Sequence, residues 1–158
     1  MLKLLNVLVF GMVGLQAIIM LIDEFYFHRR RELGRFERLG HVGDTLMFFI
    51  TIIVPAIFAP NTQTIAFYIA LSLLSCLLIT KDEGIHATSC GAGEHWCHAM
   101  LFMVHGTILT MIGFLWFLSP EALCLKLFPI PVLFWGLYLH FYWNIYGNRK
   151  IAQTPSRQ

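Results

Sequence analysis

The sequence predicts an all-α integral membrane protein with five transmembrane helices, of which the first four form a bundle of two duplicated hairpins. Three observations predict this fold: the composition, the long apolar runs and a polar cluster that occurs twice. Of the 158 residues, 58% are hydrophobic and only 13% are charged, whereas soluble domains are about 45–50% apolar. The mean hydropathy is +0.69. The net charge of +2 is too small to indicate nucleic-acid binding.

The apolar runs set the predicted boundaries of the helices. The run 4–22 matches the roughly 20 residues that cross a hydrocarbon core, and acids follow it instead of a signal-peptide cleavage site. Pro55 should kink or end the second helix. The predicted spans are about 4–28, 36–59, 64–86, 93–118 and 129–146. One domain therefore covers 1–147, with hairpins at 4–59 and 64–118, and a polar tail covers 148–158.

Basic residues predict the orientation of the chain. Five arginines lie between positions 29 and 38, and the carboxyl-terminal tail is also basic. Short basic loops stay in the cytoplasm. We therefore expect a multi-pass protein with its amino terminus outside, its carboxyl terminus in the cytoplasm, and the polar ends of both hairpins on the cytoplasmic side.

A polar cluster occurs at the end of each predicted hairpin. Both copies read Asp-Glu, two or three residues, His, a short loop, Glu, three residues and His, with an offset of about 57–59 residues. The copies consist of Asp23, Glu24, His28, Glu37 and His41, and of Asp82, Glu83, His86, Glu94 and His98. A single acid or histidine near a helix end is usually a solvated residue at the membrane interface. The recurrence of acids and histidines in the same order in both hairpins favours a functional role instead.

The chemistry of the cluster indicates a metal site. Residues three, four or seven apart share a helix face, so four helices each present a carboxylate and an imidazole at one depth. Ionisable groups in a membrane are costly, and this donor set suits iron, manganese or zinc. The predicted metal ligands are Glu24, His28, Glu37, His41, Asp44, Asp82, Glu83, His86, Glu94, His95 and His98. Four residues are expected either to orient imidazoles from behind or to bind metal themselves, namely Asp23, Asp44, Asp82 and His95.

Two metal ions are expected rather than one. Parallel hairpin repeats are related by an axis along the membrane normal, so ligands from both copies would converge there. Glu83 and His86 have the Glu-x-x-His spacing found in ferritin-like di-iron bundles, although the other pairs have one more intervening residue. Two iron ions are therefore the predicted cofactor, with zinc or manganese as alternatives.

Four further residues leave several roles open. His105 and His140 could complete the metal shell, line a substrate path, bind a b-type haem between two helices, or simply pack. Cys90 and Cys97 flank the second cluster and could be metal ligands, a redox pair or packing residues.

These features predict a membrane-embedded di-iron oxidoreductase of the oxygenase, hydroxylase or desaturase type. Its substrate would be a lipid-soluble molecule taken from the lipid bilayer, with electrons arriving from a cytoplasmic donor. The alternatives are a metal-ion transporter, sensor or metal-binding membrane module, a haem-b electron carrier, and a structural zinc site. A transporter needs polar side chains along the whole path of the ion across the membrane. The predicted outer half has few of them, which counts against a transporter.

Overall fold

The described part of the chain consists of helices joined by short turns. The computed structural model describes residues 2–31, 33–81 and 83–146, and no strand occurs among them. The helices are α1 (Leu2–Ile22), π1 (Asp23–His28), α2 (Arg29–Arg31), α3 (Arg35–Ile57), α4 (Thr62–Leu78), α5 (Glu83–Ser89), α6 (Ala92–Leu118), α7 (Leu123–Leu127), α8 (Pro129–Leu139) and π2 (His140–Tyr146). The all-α prediction is confirmed.

Within the described ranges, four helical runs are long and apolar enough to cross a membrane. They are Leu2–His28, Arg35–Ile57, Ala92–Leu118 and Leu123–Tyr146. Large apolar side chains such as Phe10, Leu73 and Phe134 face outward and are exposed, as expected where lipid is the solvent. These runs identify a multi-pass membrane protein. The helix α4 is also apolar, but with 17 residues it is shorter than the four.

The long helix α6 lies at the centre of the bundle. It packs against α1, α3 and α4, while α3 packs against α8. Ile112, Leu115 and Trp116 form the middle of the core and are at most 2% exposed. Tyr68 of α4 donates from its hydroxyl to the Leu109 carbonyl at 2.6 Å. The most extensive packing therefore joins helices that are distant in the chain.

One glycine allows α4 and α6 to approach closely. A Cβ atom added at Gly113 would lie 3.0 Å from Cε1 of Tyr68, which is tighter than ordinary van der Waals contact. Glycine at this position therefore lets the Tyr68 ring lie against the α6 backbone and reach the Leu109 carbonyl.

The predicted third helix does not run unbroken to His86. It ends as α4 at Leu78, and the separate helix α5 then extends into the segment expected to be a loop. The amides of Thr80 and Lys81 each bond a carbonyl three residues back, at 3.2 Å. This tighter winding is typical of helix ends. The second cluster consequently begins after a turn and is not carried on the end of a long helix.

Candidate metal centre

The segment π1 carries three buried polar side chains of the first cluster. Asp23, Glu24 and His28 are 4%, 3% and 2% exposed. Because a π-helix is wound with i→i+5 bonds, Asp23 and His28 lie one turn apart. His28 Nε2 lies 3.2 Å from Asp23 Oδ2, while its other nitrogen, Nδ1, lies 3.6 Å from Glu24 Oε2. The imidazole thus stands between two carboxylates.

The first turns of α6 supply the second half of the site. Gly91 starts this helix in an extended conformation, and Glu94 lies in the first turn, where the helix dipole favours a carboxylate. His98 lies one turn further along the same face. Its Nε2 is 3.2 Å from Asp23 Oδ2, and Glu94 Oε1 is 3.8 Å from His28 Nε2. Both copies of the repeated sequence pattern therefore contribute side chains to the same site.

The four residues Asp23, His28, Glu94 and His98, called here the metal-binding group, fit a divalent cation. One ligand atom from each lies within 4.8 Å of the others. Ligands bound at about 2.0–2.2 Å in tetrahedral geometry would lie roughly 3.3–3.6 Å apart, and the three contacts described above, at 3.2, 3.2 and 3.8 Å, lie near this range. Asp23 Oδ1 is buried without a hydrogen bond to any described residue. A bound cation would offset the cost of burying two carboxylates together.

A third imidazole lies beside this group. The ring of His41, from α3, is centred 4.6 Å from that of His28 and 6.2 Å from that of His98. Three helical segments therefore bring their histidines together, as the repeated pattern predicts.

The carboxylate of Glu24 lies outside the metal-binding group, and its second oxygen has other partners. Its Oε1 accepts hydrogen bonds from Trp143 Nε1 at 2.9 Å and from the Tyr138 hydroxyl at 3.1 Å. Arg29 in turn donates to that hydroxyl at 3.1 Å, and this hydrogen bond raises the pKa of the arginine. These contacts hold Glu24 on the Nδ1 side of His28, at 3.6 Å, which is the side from which a carboxylate can orient a metal-binding histidine.

Two other predicted ligands are engaged elsewhere. Glu37 is buried, and its Oε2 accepts from the Gly34 amide at 3.1 Å at the start of α3. Asp44 forms an ion pair with Lys81. Neither residue belongs to the metal-binding group.

The remaining residues of the second cluster lie towards the surface or outside the described part. His95 Nε2 and Glu83 Oε1 are 2.6 Å apart, and both side chains are about half exposed. The predicted ligand Asp82 lies outside the described residues, as does the side chain of His86. Cys97 is buried and donates weakly to the Ile19 carbonyl at 3.7 Å, while Cys90 is half-buried.

The two histidines considered for haem have different surroundings. His105 is buried, its Nε2 lies 2.9 Å from Ser75 Oγ, and its ring packs on Phe48 at 4.8 Å. His140 is exposed at the start of π2. The described residues therefore give the haem hypothesis no shared pocket for this pair.

A cavity of about 660 Å³ opens from the metal-binding group into the bundle. At its polar end it is lined by Asp23, His41, Asp44 and His98. Elsewhere its wall consists mostly of apolar side chains from α1, α3, α6 and α8. Its volume falls within the roughly 300–1,000 Å³ of small-molecule sites. A candidate metal centre and an apolar chamber thus share one wall.

Replacing Glu24 with glutamine should weaken metal binding without removing a ligand. The amide cannot stabilise the His28 imidazole as the carboxylate does, and losing a partner of this kind typically costs about 10–100-fold in metal affinity. Competition with a chelator of known affinity would measure the change. Glu121→Gln is the matched control, because that carboxylate pairs with Lys126 at the surface. Equal affinity in Glu24→Gln and wild type would contradict a role for Glu24 in positioning His28.

Comparison of the chain with protein-family models, with curated proteins and with solved structures finds no match.

Proposed function

We propose that this protein is a membrane-embedded, metal-dependent oxidoreductase that acts on a lipid-soluble substrate. One observation carries the proposal: two members of the metal-binding group, Asp23 and His98, line the end of a large, mostly apolar cavity, and the other two, His28 and Glu94, are buried beside them. A polar metal site alone would suit many functions. An apolar chamber beside it suits chemistry on an apolar molecule, because only such a molecule would gain by entering.

The residues of the site have separate tasks in this proposal. The metal-binding group holds the ion, and Glu24 fixes the His28 ring from behind. A bound iron would supply redox chemistry with oxygen. The apolar wall admits the substrate from the bilayer and keeps water away from the reacting end. His41 faces the same cavity and offers a nitrogen for a second ion.

The dinuclear form of the centre is part of the proposal. A second ion would bind His41 and share a carboxylate of the metal-binding group with the first. The ring of His41 lies next to that of His28, which supports this arrangement. Two irons per chain are proposed because carboxylate and imidazole donors suit iron. Zinc or manganese would satisfy the same donors.

The number of membrane spans, the hairpin repeat and the orientation of the chain are also proposals. We propose that α4 forms a fifth span and that the hairpins 4–59 and 64–118 are repeats. The amino terminus would then lie outside and the carboxyl terminus in the cytoplasm. The arginines near π1 support this orientation through the bias of basic residues towards the cytoplasm. A soluble electron donor would then reach the metal centre from the cytoplasmic face.

Metal analysis of the purified protein, with an optical spectrum of the same sample, tests the proposal. We expect about two irons per chain, a reduced form that is reoxidised by oxygen, and faster reoxidation when lipid extract is present. Redox-silent zinc would indicate a structural site instead. A Soret band would favour the haem carrier. Divalent-cation uptake into proteoliposomes without oxygen chemistry would favour a transporter, sensor or metal-binding module.

A further inference from the structure

One buried amide in the cavity is not accounted for by the metal centre. Gln16 of α1 is 9% exposed and lines the cavity. Its Nε2 makes a long contact of 3.8 Å to the Met20 sulfur, and its Oε1 has no hydrogen bond to any described residue. A buried carbonyl oxygen without a partner destabilises the folded protein. The native chain therefore retains an acceptor that a cavity ligand could satisfy.

A second polar side chain lies at the same depth. Gln16 is seven residues before Asp23 on α1, and His105 is seven residues after His98 on α6. Each interval corresponds to about 10 Å along a helix axis. The two helices pack together and run in opposite directions past the metal-binding group, so Gln16 and His105 lie at a common level. Both line the cavity, and Ser75 orients the imidazole from behind.

We propose that Gln16, at the level of His105 in the cavity wall, is a polar subsite that binds the hydroxyl group of an uncharged lipid. The hydroxyl donates its proton to Gln16 Oε1, and its apolar chain lies against the surrounding wall. A carboxylate or phosphate would be disfavoured, because no cationic residue lines this level of the described cavity and an unpaired buried charge is costly.

The subsite deepens the proposed function by naming its substrate class. The subsite depends on the proposed function in one respect only: the reaction is taken to occur at the end of the cavity that contains the metal-binding group. The substrate is then a neutral lipid alcohol whose hydroxyl lies about 10 Å from the reacting carbon. The binding step needs no metal, so it can be tested separately from the oxidation.

The test measures binding of labelled 1-hexadecanol and labelled hexadecane to the detergent-purified protein as isolated, kept free of oxygen so that no oxidation competes with binding. These two probes have the same chain length and differ by one hydroxyl. Wild-type protein should bind the alcohol about tenfold more tightly than the alkane, because one satisfied buried hydrogen bond is worth about that factor. Gln16→Leu should abolish this preference by weakening binding of the alcohol, whereas the alkane should bind at least as tightly as before because leucine makes the wall more apolar. Gln63→Leu, which alters an exposed amide of α4, is the control and should keep the preference.

Three results would overturn the subsite. These are equal binding of alcohol and alkane by the wild type, an undiminished preference in Gln16→Leu, and equal losses for both probes in that variant. The wild-type comparison needs no variant, so it decides the matter even if Gln16→Leu does not fold. Failure of the proposed oxidoreductase function would appear differently, as normal alcohol binding in a protein that holds no redox-active metal.

Discussion

Replacing His98 with alanine is expected to empty the metal centre. The variant loses one of four donors that lie within 4.8 Å of one another, and it removes the imidazole that contacts Asp23 Oδ2 from α6. Because the loss of a supporting residue behind a ligand already costs about 10–100-fold in affinity, loss of the ligand itself should cost more than about 100-fold. Elemental analysis after dialysis should find metal in the wild type and only background amounts in His98→Ala.

His95→Ala is the matched control for this result. It removes an imidazole from the same helix, but that ring pairs with Glu83 where both side chains are about half exposed. Its metal content should equal that of the wild type. A chelator should also lower the unfolding temperature of the wild type and of the control but not that of His98→Ala, because only bound metal adds stability by mass action. Full metal content in His98→Ala would contradict the site.

Replacing Trp116 with alanine should cause the largest loss of stability. This residue is 1% exposed, its ring packs on Tyr68 at 5.6 Å, and its Nε1 donates to the Phe58 carbonyl at 2.8 Å. That carbonyl lies just beyond the end of α3. Deleting a buried tryptophan typically costs about 3–5 kcal/mol through the cavity it leaves. Unfolding of the detergent-solubilised protein with increasing denaturant should show this loss.

Two further tryptophan variants separate burial from hydrogen bonding. Trp96→Ala removes an equally large side chain that is 66% exposed on the same helix, so its stability should stay within about 0.5 kcal/mol of the wild type. Trp116→Phe keeps most of the apolar surface and loses the donor, and about 1 kcal/mol should be lost. Similar stabilities for Trp116→Ala and Trp96→Ala would contradict the central position assigned to Trp116.

Much of the fold follows from features that lie within short stretches of sequence. Apolar runs and proline positions predict where helices lie, and the ends of α6 and π2 agree with the prediction to within a residue. The break between α4 and α5 was not predicted, because apolar and helix-forming residues continue past Leu78. The turn depends on local bonds of Thr80 and Lys81, which have no compositional signature.

The site was partly predictable for a similar reason. The repeated pattern brings His28, Glu94 and His98 together as expected. Helical spacing of four pairs Glu24 with His28 in the sequence, and the π-helical winding of this segment also brings Asp23 to 3.2 Å from His28. Nothing in the sequence signals that winding. The donors from Tyr138 and Trp143 were also missed, because they are 114 and 119 residues from Glu24 in the chain.

The wide separation of these partners has a consequence for assembly. The first helix enters the membrane before α6 and π2 have been synthesised. Asp23 and Glu24 therefore lack their later partners during the first stage of insertion. Contacts of such high sequence separation form slowly. The four residues of the metal-binding group can therefore come together only after α6 has been synthesised, and a cation would then bind to a chain whose first helix is already inserted. A nascent chain halted before α6 would contain π1 but neither Glu94 nor His98.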